Sequence, residues 1–316
     1  MLSNVIHSQI ELHAPFGGVV PELASRNHSL WILPVITKAI EDANIKLDDL
    51  DGIAVTEGPG LIGSLIVGVQ TAKSIARAAN IPIVGVNHVH AHLTAALLAP
   101  EPPEFPYIGL AVSGGHTSIY LVEGPDRFQL LGKTLDDAAG EALDKAGIQL
   151  GLSYPGGIHI DRISANGNHE FHKFPRAMMN KRPMDFSFSG MKTALKQYLE
   201  EVEKPILPEL KANIAASFLQ AVVDVLVHKV IYAAKKTGVE NIVLAGGVAA
   251  NSLLRRDLTA RCELEGLNLV LTPTKLCTDN AAMVAALGYY YIAGKADPLK
   301  AHFGLDVDPF PRQIAA

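Results

Sequence analysis

A short β-prone run that closes on two or three glycines occurs three times in this chain, in TEGPGLIGSL (56–65), AVSGGHTS (111–118) and LAGGVAANSLL (244–254). A strand ending in so tight a turn, with a helix or a return strand directly behind it, fixes local chain direction. It also lets backbone N–H groups approach a phosphate with no Cβ in the way. Around these loops, β-rich runs alternate with amphipathic patterns. Residues 52–56 read as a strand, 61–79 as a helix and 81–86 as a strand; 107–112 and 117–122 flank SGGH as a hairpin, with 128–132 as a third strand. Beyond 136 the pattern is helical with proline breaks, until 241–245 (strand), 249–265 (helix), 267–271 (strand) and 279–293 (helix). The tail from 298 onward has little period and reads as an extended strap. This alternation specifies an α/β protein with parallel strands, and 316 residues suit two domains rather than one core.

Three glycine loops in one α/β chain favour a nucleotide site between two domains. None of them matches G-x-x-x-x-G-K-[ST], and the first lacks the acidic residue of a dinucleotide fingerprint. A P-loop enzyme and a dinucleotide enzyme are therefore not expected. The segment NHVHAHL (87–93) places three histidines in five residues. On a helix, His88 and His92 share a face at i and i+4, their Cβ atoms about 5–6 Å apart, which suits two ligands of one metal; His90 points elsewhere. A polar helix start with capping and surface histidines has the same spacing. Asp279, just ahead of NAAMVAAL, reads as the N-cap of a helix.

Composition narrows the class. Hydrophobic residues make up 48% and charged residues 19%, so a well-buried globular protein is expected rather than a disordered one. No apolar run reaches the ~18 residues of a membrane helix. The longest apolar helical pattern, 218–234, is interrupted by Asp224, His228 and Lys229, and the start MLSNVIHSQIELHAP has no signal-peptide pattern. Two cysteines, Cys262 and Cys277, make no disulfide framework and fit a reducing cytoplasm. Net charge is −5, so a nucleic-acid partner must be met by a local patch. Residues 173–196 offer one: Lys173, Arg176, Lys181, Arg182, Lys192 and Lys196 stand against Asp185 alone, interleaved with Phe174, Phe186 and Phe188. A basic loop over a few buried phenylalanines has the same composition. In DDAAGEALDKAG (136–147), Asp137, Glu141 and Asp144 share a helix face, and Asp161 follows the Gly-Gly turn of YPGG; these carboxylates suit ribose hydroxyls or a solvated acidic face.

Taken together, KSIARAANIPIVGVNHVHAHL (73–93), VSGGHTS (112–118), DDAAGEALDKAG (136–147), YPGG (154–157), DFSFSGMKTAL (185–195), LAGGVAAN (244–251) and CTDNAAMVA (277–285) resemble the TsaD family. These are the tRNA threonylcarbamoyladenosine synthases once called glycoproteases, and the likeness runs in family order from Ser3 to about Arg312. The resemblance implies a two-lobed actin-like/Hsp70/sugar kinase fold, with 1–107 plus 280–316 as one lobe and 108–279 as a second lobe carrying a helical insertion. It implies transfer of the threonylcarbamoyl group of threonylcarbamoyl-adenylate to the N6 amine of the adenosine beside the anticodon, in tRNAs that read codons starting with A, with release of AMP. His88, His92 and Asp279 would then hold one divalent metal, Fe(II) or else Zn, since two His and a carboxylate leave coordination positions open. Ala111, Val112, Ser113, Gly114 and Gly115, with Asp144, Gly157, Asp161 and Asn251, would bind the adenylate. Partners implied are tRNA and proteins of the TsaB and TsaE type, in the cytoplasm and without a membrane. Hydrolysis of peptides by an HExxH route is not supported, because Val89 stands where that motif needs Glu.

The family pattern opens with a strand and turn resembling ETSCDET, so roughly 25 residues of that pattern have no counterpart in a chain beginning MLSN. A non-catalytic partner subunit, or an N-terminally truncated inactive relative in the same tRNA-modification complex, is thus the alternative expectation. A sugar kinase or chaperone-type ATPase of the same fold has no use for the His-x-x-x-His pair.

Overall fold

The computed structural model describes residues 1–179 and 181–311. Along the chain run α1 (Ile10–His13), α2 (Pro21–Ala43), β1 (Ile53–Gly58), α3 (Ile62–Ala79), β2 (Ile83–Asn87), α4 (His88–Thr94), β3 (Tyr107–Val112), β4 (Thr117–Gly124) and β5 (Arg127–Lys133). There follow α5 (Ala139–Gln149), α6 (Gly156–Ser164), α7 (Ser189–Glu201), α8 (Pro208–Thr237), β6 (Asn241–Ala245), α9 (Ser252–Glu265), β7 (Asn268–Leu271), α10 (Thr274–Cys277) and α11 (Ala281–Ile292). The chain divides into two units, one of residues 1–100, 124–127 and 279–316, the other of 101–123 and 128–278.

In the first unit, β1 and β2 pair in parallel from Ile53 opposite Ile83 to Gly58 opposite Asn87. Helix α3 crosses back over them, burying Leu65, Val69, Ala72 and Ala76. Its end is set by Asn80 in the left-handed region, which Asn tolerates better than most residues. The tail lies along the same sheet: Gly85 N–H donates to His302 O at 2.8 Å and Phe310 N–H to Glu57 O at 2.8 Å. The expected strap is therefore tied to β1 and β2 and carries two short 3-10 turns; its last stretch, 312–316, lies outside the described residues. Helix α2, which no sequence signal above located, buries only Ala24 and exposes Leu30, Trp31 and Leu33.

The second unit is built on a five-stranded sheet in the order β5-β4-β3-β6-β7. The hairpin read from SGGH is present as antiparallel β3 and β4, while β3 with β6 and β6 with β7 pair in parallel. Strand β3 is buried throughout, as a central strand covered on both faces must be. Helix α8 starts at Pro208 in its first turn, stops at Gly238 with φ 72°, and buries Phe218, Val222, Leu226 and Val230 among many others. By length and composition α8 is apolar enough to cross a membrane, which corrects the expectation that Asp224, His228 and Lys229 interrupt the pattern too strongly. Most of its apolar window (78%) is buried inside this protein, however, as in a core helix. Cys262 and Cys277 are buried and free; burial pushes the Cys262 thiol up to about 11 and raises that of Cys277 as well.

Helices α5 and α6 cross at a pair of glycines. A Cβ added to Gly147 would stand 2.5 Å from Gly156 Cα, so the close approach needs both residues bare. We predict that Gly147→Ala costs about 1–3 kcal/mol through this overpacking. The expected readout is a lower urea midpoint at unchanged m; an unchanged midpoint would show that the helices separate freely.

Candidate functional site

Asn87 at the end of β2 caps α4, its side-chain oxygen accepting from Val89 N–H at 3.0 Å and His90 N–H at 3.2 Å. The helix therefore begins at His88, and one turn later His92 stands over it, ring centroids 4.6 Å apart. Packing of α11 against α4 brings in the third group. The N-cap of α11 is Asn280, whose side chain accepts from Met283 N–H at 2.9 Å. This corrects the reading of Asp279 as the cap: one residue earlier, its carboxylate is free of that duty and faces the histidines. Asp279 Oδ1 lies 3.4 Å from His88 Nε2 and 3.1 Å from His92 Nε2.

The three ligand atoms lie within 4.8 Å of one another. Neighbouring N and O donors on one ion, each at about 2.0–2.2 Å, stand roughly 3 Å apart, so the observed separations fit a shared divalent metal. The surrounding protein opposes charge on Asp279, but hydrogen bonds from His88 and His92 outweigh it and hold its carboxyl well below the usual range. The Asp279 carboxylate is thus in its anionic form. Asp279 keeps 77% of its side-chain surface exposed, while His92 is buried and its Nδ1 has no protein partner among the described residues. His90 is outside this cluster, and burial pushes it down to about 4. A cavity of about 1150 Å³ in the same unit has His88 and Asp279 in its wall, beside apolar residues of β1, α3 and α11.

In the second unit, the two remaining glycine loops meet. Strands β3 and β6 are parallel neighbours, so their loops leave at the same end. Gly246, at φ 93°, comes so close to β3 that a Cβ there would stand 2.4 Å from Val112 O. Ala111 and Val112 are buried strand residues whose backbone belongs to the ladder; they position the turn. Ser113 closes it, donating its N–H to His116 O at 2.8 Å and accepting His116 N–H on Oγ at 3.1 Å. Gly114 and Gly115 face open space. Gly140 in the first turn of α5 sits against Ser113 O, where an added Cβ would be at 2.5 Å. The bare turn and the positive end of an 11-residue helix therefore share one place.

The other predicted residues are helix caps. Asp144 accepts Gly157 N–H at 2.9 Å across from α5 to the first turn of α6. Burial raises its carboxyl, with the Gly157 and Gly156 N–H bonds working the other way. Asp161 on α6 accepts Ser252 Oγ at 2.7 Å and Ser252 N–H at 3.1 Å, fixing the start of α9. Asn251 is the N-cap of α9, accepting Leu254 N–H at 2.9 Å. Asp137 and Glu141 are not a solvated face: Lys145 reaches both, and Lys192 lies 2.9 Å from Asp137. Burial works against charge on Asp137, but hydrogen bonds from Lys192 and Lys145 lower its carboxyl overall.

The basic stretch is also partly spent on the fold. Arg176 is bidentate to Asp224 and Lys192 is held by Asp137, whereas Lys173, Lys181, Arg182 and Lys196 remain exposed. A buried acid was not read from sequence at all. Glu57, 6% exposed at the end of β1, bonds His302 Nδ1 at 2.7 Å, and burial raises its carboxyl.

The sequence model of the family described as "TsaD: tRNA N6-adenosine threonylcarbamoyltransferase" matches residues 1–286. The chain belongs to the TsaD family. It is 52% identical over 288 residues to the tRNA N6-adenosine threonylcarbamoyltransferase of Anaeromyxobacter dehalogenans (strain 2CP-1 / ATCC BAA-258), covering 91% of this chain and 86% of that protein. With the enzyme of the same name from Syntrophotalea carbinolica it shares 51% over 294 residues, 93% of this chain and 86% of the relative. Among solved structures, HypF of T. kodakarensis superposes with a TM-score of 0.63 at 19% identity, over 85% of this chain and 44% of that one. That likeness concerns the fold alone, which is the α/β fold of the actin-like class. The three candidate metal ligands, His88, His92 and Asp279, fall within the matched region.

We predict that His88→Ala or His92→Ala loses most of the bound divalent metal while His90→Ala retains it. Elemental analysis of the purified variants decides; equal metal in all three would remove the cluster from consideration.

Proposed function

We propose that this chain transfers the threonylcarbamoyl group of threonylcarbamoyl-adenylate to the N6 amine of the adenosine beside the anticodon, in tRNAs that read codons starting with A, releasing AMP. The observation that carries this reading is the convergence of the His88, His92 and Asp279 donors in a chain about half identical to proteins named for that activity. In balance, the amine nitrogen bonds to the carbamoyl carbon and the bond from that carbon to the phosphate oxygen breaks. AMP leaves with the oxygen and the amine gives up a proton.

The protein's part is to bind and orient. Ser113, Gly114 and Gly115 present a turn without side-chain obstruction, and the adjoining α5 N-terminus favours the negative charge of the phosphate. Asp144, Gly157, Asp161 and Asn251 line up the remaining adenylate contacts, with Asp144 and Asp161 as the ribose carboxylates. A divalent ion on His88, His92 and Asp279, Fe(II) in preference to Zn, would supply Lewis acidity and a clamp for the threonylcarbamoyl end without a redox step. The acting form is cytoplasmic and works with proteins of the TsaB and TsaE type. The complete donor set weighs against a non-catalytic subunit, which would have no use for it. Purified chain with those partners, tRNA and threonylcarbamoyl-adenylate is expected to yield AMP and modified tRNA in equal amounts. Absence of both products from folded, metal-loaded protein overturns the proposal.

Asp144→Asn keeps an oxygen to accept Gly157 N–H but removes the charge. Losing a charge-assisted bond to ribose costs ~1.5–3 kcal/mol, so AMP affinity should fall about 10- to 100-fold while the urea midpoint holds. Calorimetric titration with AMP measures it. Undiminished affinity would leave Asp144 as a cap for α6 and nothing more.

A further inference from the structure

Lys229 sits inside α8 with 0% of its surface exposed. An ammonium so placed needs compensation, and its nearest described partners are not carboxylates. Its Nζ donates to Met178 O at 3.0 Å and to Arg182 O at 3.2 Å, and stands 5.8 Å from the centre of the buried Phe186 ring. Burial lowers its pKa, with the nearby Asp185 charge acting in the opposite sense.

The two carbonyls it gathers belong to unusual residues. Met178 has φ 54° and Arg182 φ 45°; the other non-glycine residues in this region among those described are Asn44 and Asn80. Asn adopts the left-handed region at little cost, whereas Met and Arg do not. Something must hold them there, and an ammonium bonded to both carbonyls supplies that hold. The same carbonyls also accept Lys181 N–H at 3.2 Å and Asp185 N–H at 3.0 Å, so the backbone on either side is tied to the same point. Lys181 and Arg182 project into solvent from this backbone; Arg182 is 66% exposed, and Asp185 approaches it no closer than 3.9 Å.

We infer that Lys229 is a positioning residue for RNA: its buried ammonium, bonded to Met178 O and Arg182 O, fixes the backbone that presents Lys181 and Arg182 to the phosphates of tRNA. This rests on the reading of the chain as a tRNA-modifying enzyme. Lys229 itself touches no nucleic acid, so its effect must pass through the two exposed cations.

That dependence defines the experiment, in which the full chain binds unmodified tRNA across a salt series. Lys229→Met should weaken binding about 3- to 30-fold and reduce the slope of log affinity against log salt by about 1 to 2, as loss of two phosphate contacts requires. Lys181→Ala with Arg182→Ala should do the same, and adding Lys229→Met to that pair should bring no further loss. AMP affinity should stay at the wild-type value throughout, which a general loosening of the unit would not allow. Met178→Gly in the Lys229→Met background should recover binding, because glycine holds a positive φ unaided. If Lys229→Met does not fold, Lys229→Arg replaces it; that variant keeps the charge but displaces the donors, and the same loss is expected. Should the Lys181/Arg182 pair leave tRNA affinity intact, RNA docks elsewhere and the inference about Lys229 falls, while the reading of the chain as a tRNA-modifying enzyme is untouched; only a wild-type chain that binds no tRNA would count against that reading. Should the pair weaken binding while the Lys229 variants do not, or should their losses add, the inference about Lys229 alone is overturned.

Discussion

Because β3 and β6 run parallel and in register, from Ile108 opposite Ile242 to Ala111 opposite Ala245, both strands end at one level. Their loops then compete for the same space, and only the bare backbone of Gly246 lets one pass against Val112. The rest of the second unit follows from that pairing. Thr117, the first residue of the return strand, accepts Ala139 N–H on Oγ1 at 2.9 Å and so anchors α5 beside the turn. Gly147 and Gly156 bring α6 against α5, and Asp161 on α6 reaches Ser252 at the head of α9. Each helix start is thereby fixed by a group from another element, and the apolar face of α8 closes the core beneath them.

Much of this was readable in the amino-acid order. The SGGH hairpin, β6, α3 and the i, i+4 histidine pair depend on local period and turn chemistry, which a single segment displays. What could not be read are relations between segments. Asp144, Asp161 and Asn251 were picked out as polar residues near glycine turns, yet their described bonds are to helix N-termini, two of them across elements. Asp279 and Asn280 are adjacent and both suit a cap, so only the packing of α4 against α11 shows which one caps the helix and which one faces the histidines. The local charge of 173–196 counted Arg176 and Lys192 as available, although Asp224 and Asp137, distant in sequence, already hold them. Lys229 looked like an interruption of an apolar helix, because nothing near it in sequence announces the carbonyls it meets. Helix α2 escaped notice for a related reason: it buries a single residue, and so has little apolar stripe to display.

The two kinds of candidate chemistry also differ in how they are held. The candidate metal donors stand one turn apart on a seven-residue helix and on the residue before the N-cap of another, with a side-chain cap at each start. Their placement depends on packing of the seven-residue α4 against α11. The glycine turns sit on the central strand of a large, closely filled core. Perturbations of the first unit are therefore expected to disturb metal binding sooner than nucleotide binding.

The first unit is assembled from pieces at both ends of the chain, and His92 meets Asp279 across 187 positions. A ribosome makes one histidine pair early and the carboxylate late, with all of the second unit in between. Domains generally fold as they emerge, yet here the earlier-made unit stays incomplete until the later one has been synthesised. Nascent chains interrupted before residue 279 would carry the histidine pair without its carboxylate, so an ion that needs all three donors could be held only once residue 279 has been made.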